Sequence, residues 1–257
     1  MPNTNNIKVK DIYDYINDIA PYSLQESYDN SGINVCFKEK NVENVMLALD
    51  ITNEIIDEAK EKNVQLILTH HPVIFKALKN LSDSDIAVKL CLNGISAVSA
   101  HTNFDSAKMN DILCEKLGLK QVSPLAVENG TPLGCICETE EITAKQLAER
   151  IKSALGNTVI RYNNIDKKIK RIAVCSGSGG SFLRNCLAEN CDAFITGDVK
   201  HDIFIDAHNA GLCVFDAGHF HTENIFCEYM EKVLSERFPG VRSFTAESNK
   251  DILSYEF

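Results

Sequence analysis

At 257 residues, 44% of them hydrophobic and 24% charged, the chain has material for one large domain or two small ones, each with its own core. Its net charge of −10 repels a phosphate backbone, and no basic stripe interleaved with aromatics offsets it. Direct nucleic-acid binding is therefore disfavoured, while a small anionic substrate drawn in by a local cation stays open.

The apolar runs are strand-length, and none approaches the roughly 20 residues that span a bilayer. Residues 1–6 lack the basic stretch and apolar core of a secretion signal, so a cytoplasmic protein is expected. Ten cysteines include no C-x-x-C pair; the nearest approach is Cys135-Ile-Cys137, alternate residues on one strand face. Buried thiols in a reducing compartment are predicted.

In chain order, Val9, Ile12, Tyr13, Ile16 and Ile19 recur at helical spacing and stop before Pro21. Residues 45–49 read as a buried strand, Thr52 caps a helix carrying Ile55, Ile56 and Ala59, and 64–68 is a second apolar run. A helix over 85–92 ends at Asn93-Gly94, a strand follows at 95–99, and a helix at 112–117. This βαβα rhythm implies an α/β fold whose open sheet is largely parallel, with helices on its faces.

Residues 121–132 are polar, contain Pro124, Gly130 and Pro132, and read as a loop; a boundary there gives domains 1–127 and 128–257. The final helix or strand remains able to pack back on the first domain. Next come a strand (133–137), a helix (143–155, closed by Gly156) and a strand (158–162). The rhythm then resumes with a strand (171–175), a helix (181–190), a strand (193–196), a helix (203–210) and a strand (212–215). A long helix over 222–238 and a strand at 241–245 finish the chain.

All seven histidines fall in two windows: His70, His71 and His101, then His201, His208, His219 and His221. Three predicted strands run directly into His70-His71, into His101 through Asp105, and into Asp216 through His219. The carboxyl ends of strands are where open α/β sheets place their sites. His101 and Asp105 are four apart, as are His219 and Glu223, so each pair projects from one face if it opens a helix. Neighbouring side chains of an extended chain diverge, so His70 and His71 suit two ions better than one. His201 and His208 read as surface histidines, and spacing leaves His221 open.

The turn from Cys175 to Ser181 follows a strand and opens a helix. It departs from G-x-G-x-x-G at Phe182 and lacks the P-loop Lys, so it reads as a tight turn first and an anion contact second. Asp29-Asn30-Ser31-Gly32 reads as turn chemistry. Neither a G-x-S-x-G elbow nor an H-E-x-x-H helix is present.

Six segments in order carry a wider likeness: Tyr28-Asp29-Asn30-Ser31-Gly32; Thr69-His70-His71-Pro72-Val73-Ile74-Phe75; Ser99-Ala100-His101-Thr102-Asn103-Phe104-Asp105; Ser176-Gly177-Ser178-Gly179-Gly180-Ser181; Ile195-Thr196-Gly197-Asp198-Val199-Lys200-His201; and Asp216-Ala217-Gly218-His219-Phe220-His221-Thr222-Glu223. Over nearly its whole length the chain resembles the Nif-three-like family, often labelled GTP cyclohydrolase I type 2 homologues, in the compact form without an inserted middle domain. The resemblance implies two α/β domains with mixed sheets and a metal-containing cleft between them. It also implies a toroidal homohexamer. The metal ligands it implies are His70, His71, Asp105, His219 and Glu223, which selects Asp105 over His101 and His219 over His221.

Two divalent ions, whether Zn, Fe, Mn or Ni, would leave such a centre cationic against Asp105 and Glu223 and attract an anion. Hydrolysis of a phosphoester, an amide or a purine-ring C–N bond fits that chemistry. His101 is a candidate for proton transfer or for orienting Asp105. The rival expectations are a regulatory or interaction scaffold with structural metals, and a metal-handling protein.

Overall fold

The computed structural model describes residues 6–128, 130–156, 159–254 and 256. Residue contacts divide the chain into two units, Met1–Ala107 with Phe226–Ile252, and Lys108–Ile225 with Leu253–Phe257. Eleven strands occur among the described residues: β1 (Gly32–Val35), β2 (Asn44–Ala48), β3 (Leu66–Thr69), β4 (Ser96–Ser99), β5 (Lys120–Glu128), β6 (Thr131–Thr143), β7 (Arg161–Tyr162), β8 (Lys168–Val174), β9 (Ala193–Thr196), β10 (Cys213–Asp216) and β11 (Arg242–Thr245).

In the first unit the sheet order is β1-β4-β3-β2-β11, parallel throughout except that β1 runs against β4. β2, β3 and β4 show no alternation of buried and exposed positions, as expected of strands covered on both faces. Met46, Ile67 and Ala97 share a core with Ile55, Ile56 and Ala59 of the helix Asn53–Glu61 and Leu90 of the helix Ile86–Leu92. Thr52 starts the first of these helices by accepting the Ile55 N–H at 3.3 Å, as its position in the sequence predicts. Register pairs Ala48 with Thr69 and Thr69 with Ser99, so the three strands end level. Whatever follows each strand leaves the sheet at the same edge.

The stretch after β11 is tied to the helix Asn53–Glu61 by one carboxylate. Glu58 accepts the backbone N–H groups of Glu247 and Ser248 at 2.9 and 2.8 Å, and it pairs with Lys62 at 2.8 Å. Burial pushes this carboxyl up, but Lys62, Ser248 and the two N–H groups outweigh it and hold it down at about 2. Glu58→Gln is expected to lower stability by roughly 1–2 kcal/mol at neutral pH in chemical denaturation. A depressed carboxyl contributes stability above its unfolded value, and that stability is lost as pH falls toward the folded one. The gap between wild type and variant should therefore close between about pH 5 and pH 2.

In the second unit the sheet order is β5-β6-β8-β9-β10-β7. Here β8, β9 and β10 are parallel, and the β5/β6, β6/β8 and β7/β10 pairs are antiparallel. Both sheets are thus mixed and carry helices, which makes the fold α/β. The segment 121–132, read from sequence as a loop and boundary, lies in the β5/β6 hairpin inside this unit. β5 is an edge strand with most of its side chains exposed, so its polar composition and its proline at 124 imitate a loop.

The helix Ala144–Leu155 has the predicted ends: Thr143 and Gln146 form a reciprocal cap, and Gly156 closes it at φ +69°. The strand expected at 158–162 is reduced to Arg161–Tyr162, and Thr158 lies outside the described residues. The long helix expected over 222–238 is two helices, His219–Glu223 and Ile225–Arg237, interrupted at Asn224. Strand register is level here too, with Val174 beside Ile195 and Thr196 beside Asp216.

Among the described residues no helix is long and apolar enough to cross a membrane, and no disulfide joins the cysteines. Eight of the ten cysteines are buried, Cys36 is partly so, and Cys91 is exposed. Of residues 1–6, in which no secretion signal is read, residues 1–5 lie outside the described residues.

Candidate metal centre

In the first unit, the level ends of β2, β3 and β4 deliver Asp50, then His70 and His71, then His101 to one edge of the sheet. The rings form a triangle, with centroids 5.0 Å apart for His70 and His71, 5.1 Å for His70 and His101, and 5.3 Å for His71 and His101. One ring nitrogen from each lies within 4.8 Å of the others. His71 has left the strand, its N–H donating to the Leu49 carbonyl at 3.0 Å, so its ring stands beside that of its neighbour. The divergence that favoured two ions over one in the sequence is therefore absent here.

Each imidazole is fixed from behind. His70 Nδ1 donates to the Ala100 carbonyl at 2.8 Å, His71 Nδ1 meets Asp50 Oδ1 at 2.8 Å, and His101 Nδ1 meets Asp29 Oδ1 at 2.8 Å. A carbonyl only accepts, so His70 carries its proton on Nδ1 and presents a lone pair at Nε2. That nitrogen is 3.5 Å from Asp105 Oδ1. Asp105 opens a π-helical turn, Asp105–Met109, directly after the short helix Thr102–Phe104.

Asp29 is wholly buried at its side chain and also accepts hydrogen bonds from the Ser31 and Thr102 hydroxyls. Burial alone would raise its carboxyl, but the bonds from His101, Ser31 and Thr102 win and hold it well below the usual carboxylate range. The turn read from sequence at Asp29–Gly32 is thus also the support of His101.

In the second unit, β9 and β10 deliver Asp198 and His219 to one edge. His219 Nδ1 meets Asp198 Oδ2 at 2.8 Å, and its Nε2 meets Glu223 Oε2 at 2.8 Å, one helical turn on. Asp198 sits in the left-handed region at φ +52°, a conformation Asp tolerates better than most residues. Glu223, the largest influence, together with Asp198 pushes the His219 imidazole up to about 9 against the opposing effect of burial. Asp216 shapes the presenting turn instead of facing the ring: it accepts the Val199 and Gly218 N–H groups and pairs with Arg161.

The glycine turn packs directly on this pair. A Cβ on Gly177 would lie 2.0 Å from Glu223 Oε1 and 3.5 Å from His219 Cε1. The Ser176, Gly177 and Gly179 N–H groups donate to Asn110 Oδ1, Thr222 Oγ1 and Thr196 Oγ1. With those amides engaged internally, the tight-turn reading of this segment holds over the anion contact.

His201 and His208 are exposed on the helix His201–Asn209, and the His221 ring packs on that of Phe220 at 5.6 Å. The supporting carboxylates Asp29, Asp50 and Asp198 were not picked out as such from sequence. The signal was present for the last two, since each follows the carboxyl end of a parallel strand by two residues.

The family described as Duf34/NIF3 (NGG1p interacting factor 3) matches residues 7–251. The chain belongs to this family. A Clostridium perfringens protein named GTP cyclohydrolase 1 type 2 homolog is 37% identical over 259 residues, covering 95% of this chain and 98% of that protein. A Helicobacter pylori protein named GTP cyclohydrolase 1 type 2 is 35% identical over 234 residues, covering 88% and 91%. Among solved structures, the Staphylococcus aureus hypothetical protein SA1388 superposes with a TM-score of 0.90 at 26% identity, covering 98% of this chain and 100% of that one.

The donor chemistry fits a transition metal. Four imidazoles have Nδ1 anchored by a carbonyl or carboxylate, which orients ring and tautomer and makes Nε2 the better donor. A buried carboxylate, Glu223, stands within hydrogen-bond reach of one of those Nε2 atoms.

Proposed function

We propose that His70, His71, Asp105, His219 and Glu223 jointly hold two divalent ions and that the protein is a metal-dependent hydrolase of a small, anionic, nucleotide-like substrate. The observation that carries this reading is the anchoring of Nδ1 on each of these three histidines and on His101. Histidines that serve only packing have no need of a matched set of supports. Two ions are favoured over one by donor number, since these five residues exceed the four positions of a tetrahedral site. Zn, Fe, Mn and Ni all accept such a mixture of donors.

Bound there, the ions would supply Lewis acidity and bring the ionisation of water toward about pH 7. The chain supplies the rest. Ala100, Asp50, Asp29 and Asp198 hold the imidazoles to one orientation. His101, held by Asp29 beside His70 and His71, is placed to accept or deliver a proton at its Nε2. With the ligands Asp105 and Glu223, the supporting carboxylates Asp29, Asp50 and Asp198 set five negative charges against the four positive ones of two divalent ions, so anion attraction would be confined to the ions' open side.

The relatives' names point to ring hydrolysis of a purine nucleotide: water adds to a ring carbon, the C–N bond breaks, and the nitrogen leaves protonated. The test is an activity screen of metal-loaded protein against nucleotides, phosphodiesters and cyclic amides. Turnover of one nucleotide class supports the reading. A flat response across all classes would leave the interaction scaffold, which the family description "interacting factor" favours. A cytoplasmic homohexamer is part of the same proposal, and native mass spectrometry should find six copies of the 28.5 kDa chain.

Asp198→Asn separates support from ligation. Asparagine also tolerates the left-handed backbone, so the turn survives while the carboxylate behind His219 is lost. Metal affinity, measured by competition with a chelator, is expected to fall about 10- to 100-fold.

A further inference from the structure

We infer that Tyr28 and Phe75 form a platform on which the substrate's flat heterocyclic ring stacks beside the histidine cluster. This rests on the hydrolase reading above and adds the residues that would choose a nucleobase-bearing substrate over a plain phosphate.

Both side chains are large, apolar and open to water: Tyr28 is 65% exposed and Phe75 42%. Their ring centroids are 6.4 Å apart at 64°, an edge-on pairing. Phe75 in turn stands 6.0 Å from the His101 ring, which is 5.1 Å from His70 and 5.3 Å from His71. The aromatic surface is therefore continuous with the metal-binding imidazoles. A ring laid on it would sit one ring's width from the proposed chemistry.

The pair is held in place. Asn30 Nδ2 donates to the Ile74 carbonyl at 2.5 Å, and the Ile74 N–H donates to Asn34 Oδ1 at 3.3 Å. These bonds staple the segment carrying Tyr28 to the turn carrying Phe75. One residue away, Asp29 holds His101. A single short segment, Tyr28 to Ser31, thus supports a site histidine and one wall of the platform together. Exposed aromatics fixed by polar staples are pre-organised for stacking, an interaction every nucleobase can make.

The chain contains no tryptophan, so Phe75→Trp introduces a sole reporter. The metal content of each sample is measured beside its fluorescence. Guanosine, which has no phosphate for a metal to hold, is expected to quench the emission of this introduced indole saturably, whereas inorganic tripolyphosphate leaves it unchanged. Tyr28→Ala in that background should weaken guanosine binding about tenfold, and Phe75→Ala should weaken GTP binding similarly by calorimetry with metal content unchanged.

Quenching without bound metal would sustain the platform and defeat the hydrolase reading. Bound metal with no quenching, or equal GTP affinity in wild type and Phe75→Ala, would overturn the platform alone. Emission that follows protein concentration and ignores guanosine would also overturn it, assigning this surface to contact between copies of the chain.

Discussion

With His70 and Glu223 both replaced by alanine, the purified protein is expected to be folded and essentially free of metal, against about two ions per chain in wild type. His70 is fully buried and Glu223 nearly so, hence neither is a surface residue whose loss would pass unnoticed. Removing the His70 ring leaves the Ala100 carbonyl without that bond, a cost of about 1–3 kcal/mol. Removing the Glu223 carboxylate relieves a desolvation penalty that a cation or a protonated imidazole helps to compensate. The two effects oppose each other, so the metal-free variant should melt within a few degrees of metal-free wild type. Elemental analysis and thermal unfolding check the two halves of this expectation. An unchanged metal content would refute the ligand assignment.

Gly177→Ala should produce the second large effect. At φ +58° an added Cβ costs about 1–2 kcal/mol in backbone strain alone. The same Cβ would stand 2.0 Å from Glu223 Oε1, and since that oxygen ends a side chain it is the carboxylate that gives way. Moving it separates Glu223 from His219, so metal affinity should fall at least tenfold while the protein stays folded. Gly197→Ala provides the contrast. Its Cβ would meet the His219 backbone N at 2.7 Å and Cα at 2.9 Å, and a backbone cannot turn aside. Loss of about 3 kcal/mol or more, and of metal with it, is expected there. Equal metal affinity in wild type and Gly177→Ala would show that Glu223 is not a ligand.

The sequence displayed the site better than it displayed the sheet margins. Residues 45–49, 66–69 and 213–216 are runs with no apolar/polar alternation, as in strands covered on both faces; His70 follows the second at once and His219 the third after two residues. β5 was hidden because an edge strand shows one buried face and can carry proline, and its polar residues then look like a linker. The break at Asn224 was hidden because helical periodicity continues across it in Thr222, Phe226 and Met230.

The three supporting carboxylates were obscured for a different reason. Asp29, Asp50 and Asp198 lie 72, 21 and 21 residues from the imidazoles they hold, and no local spacing reveals a partner set by strand register. His101, read from the sequence as a candidate for proton transfer or for orienting Asp105, has a ring that completes the triangle with His70 and His71.

Anomalous diffraction from crystals of the metal-loaded protein, collected at the absorption edge of the bound element, tests the account at its centre. Two peaks are predicted, with His70, His71 and Asp105 on one side and His219 and Glu223 on the other, at bonds of about 2.0–2.2 Å. Peaks bounded by residues of one strand edge alone, or no peak at these side chains, would contradict it.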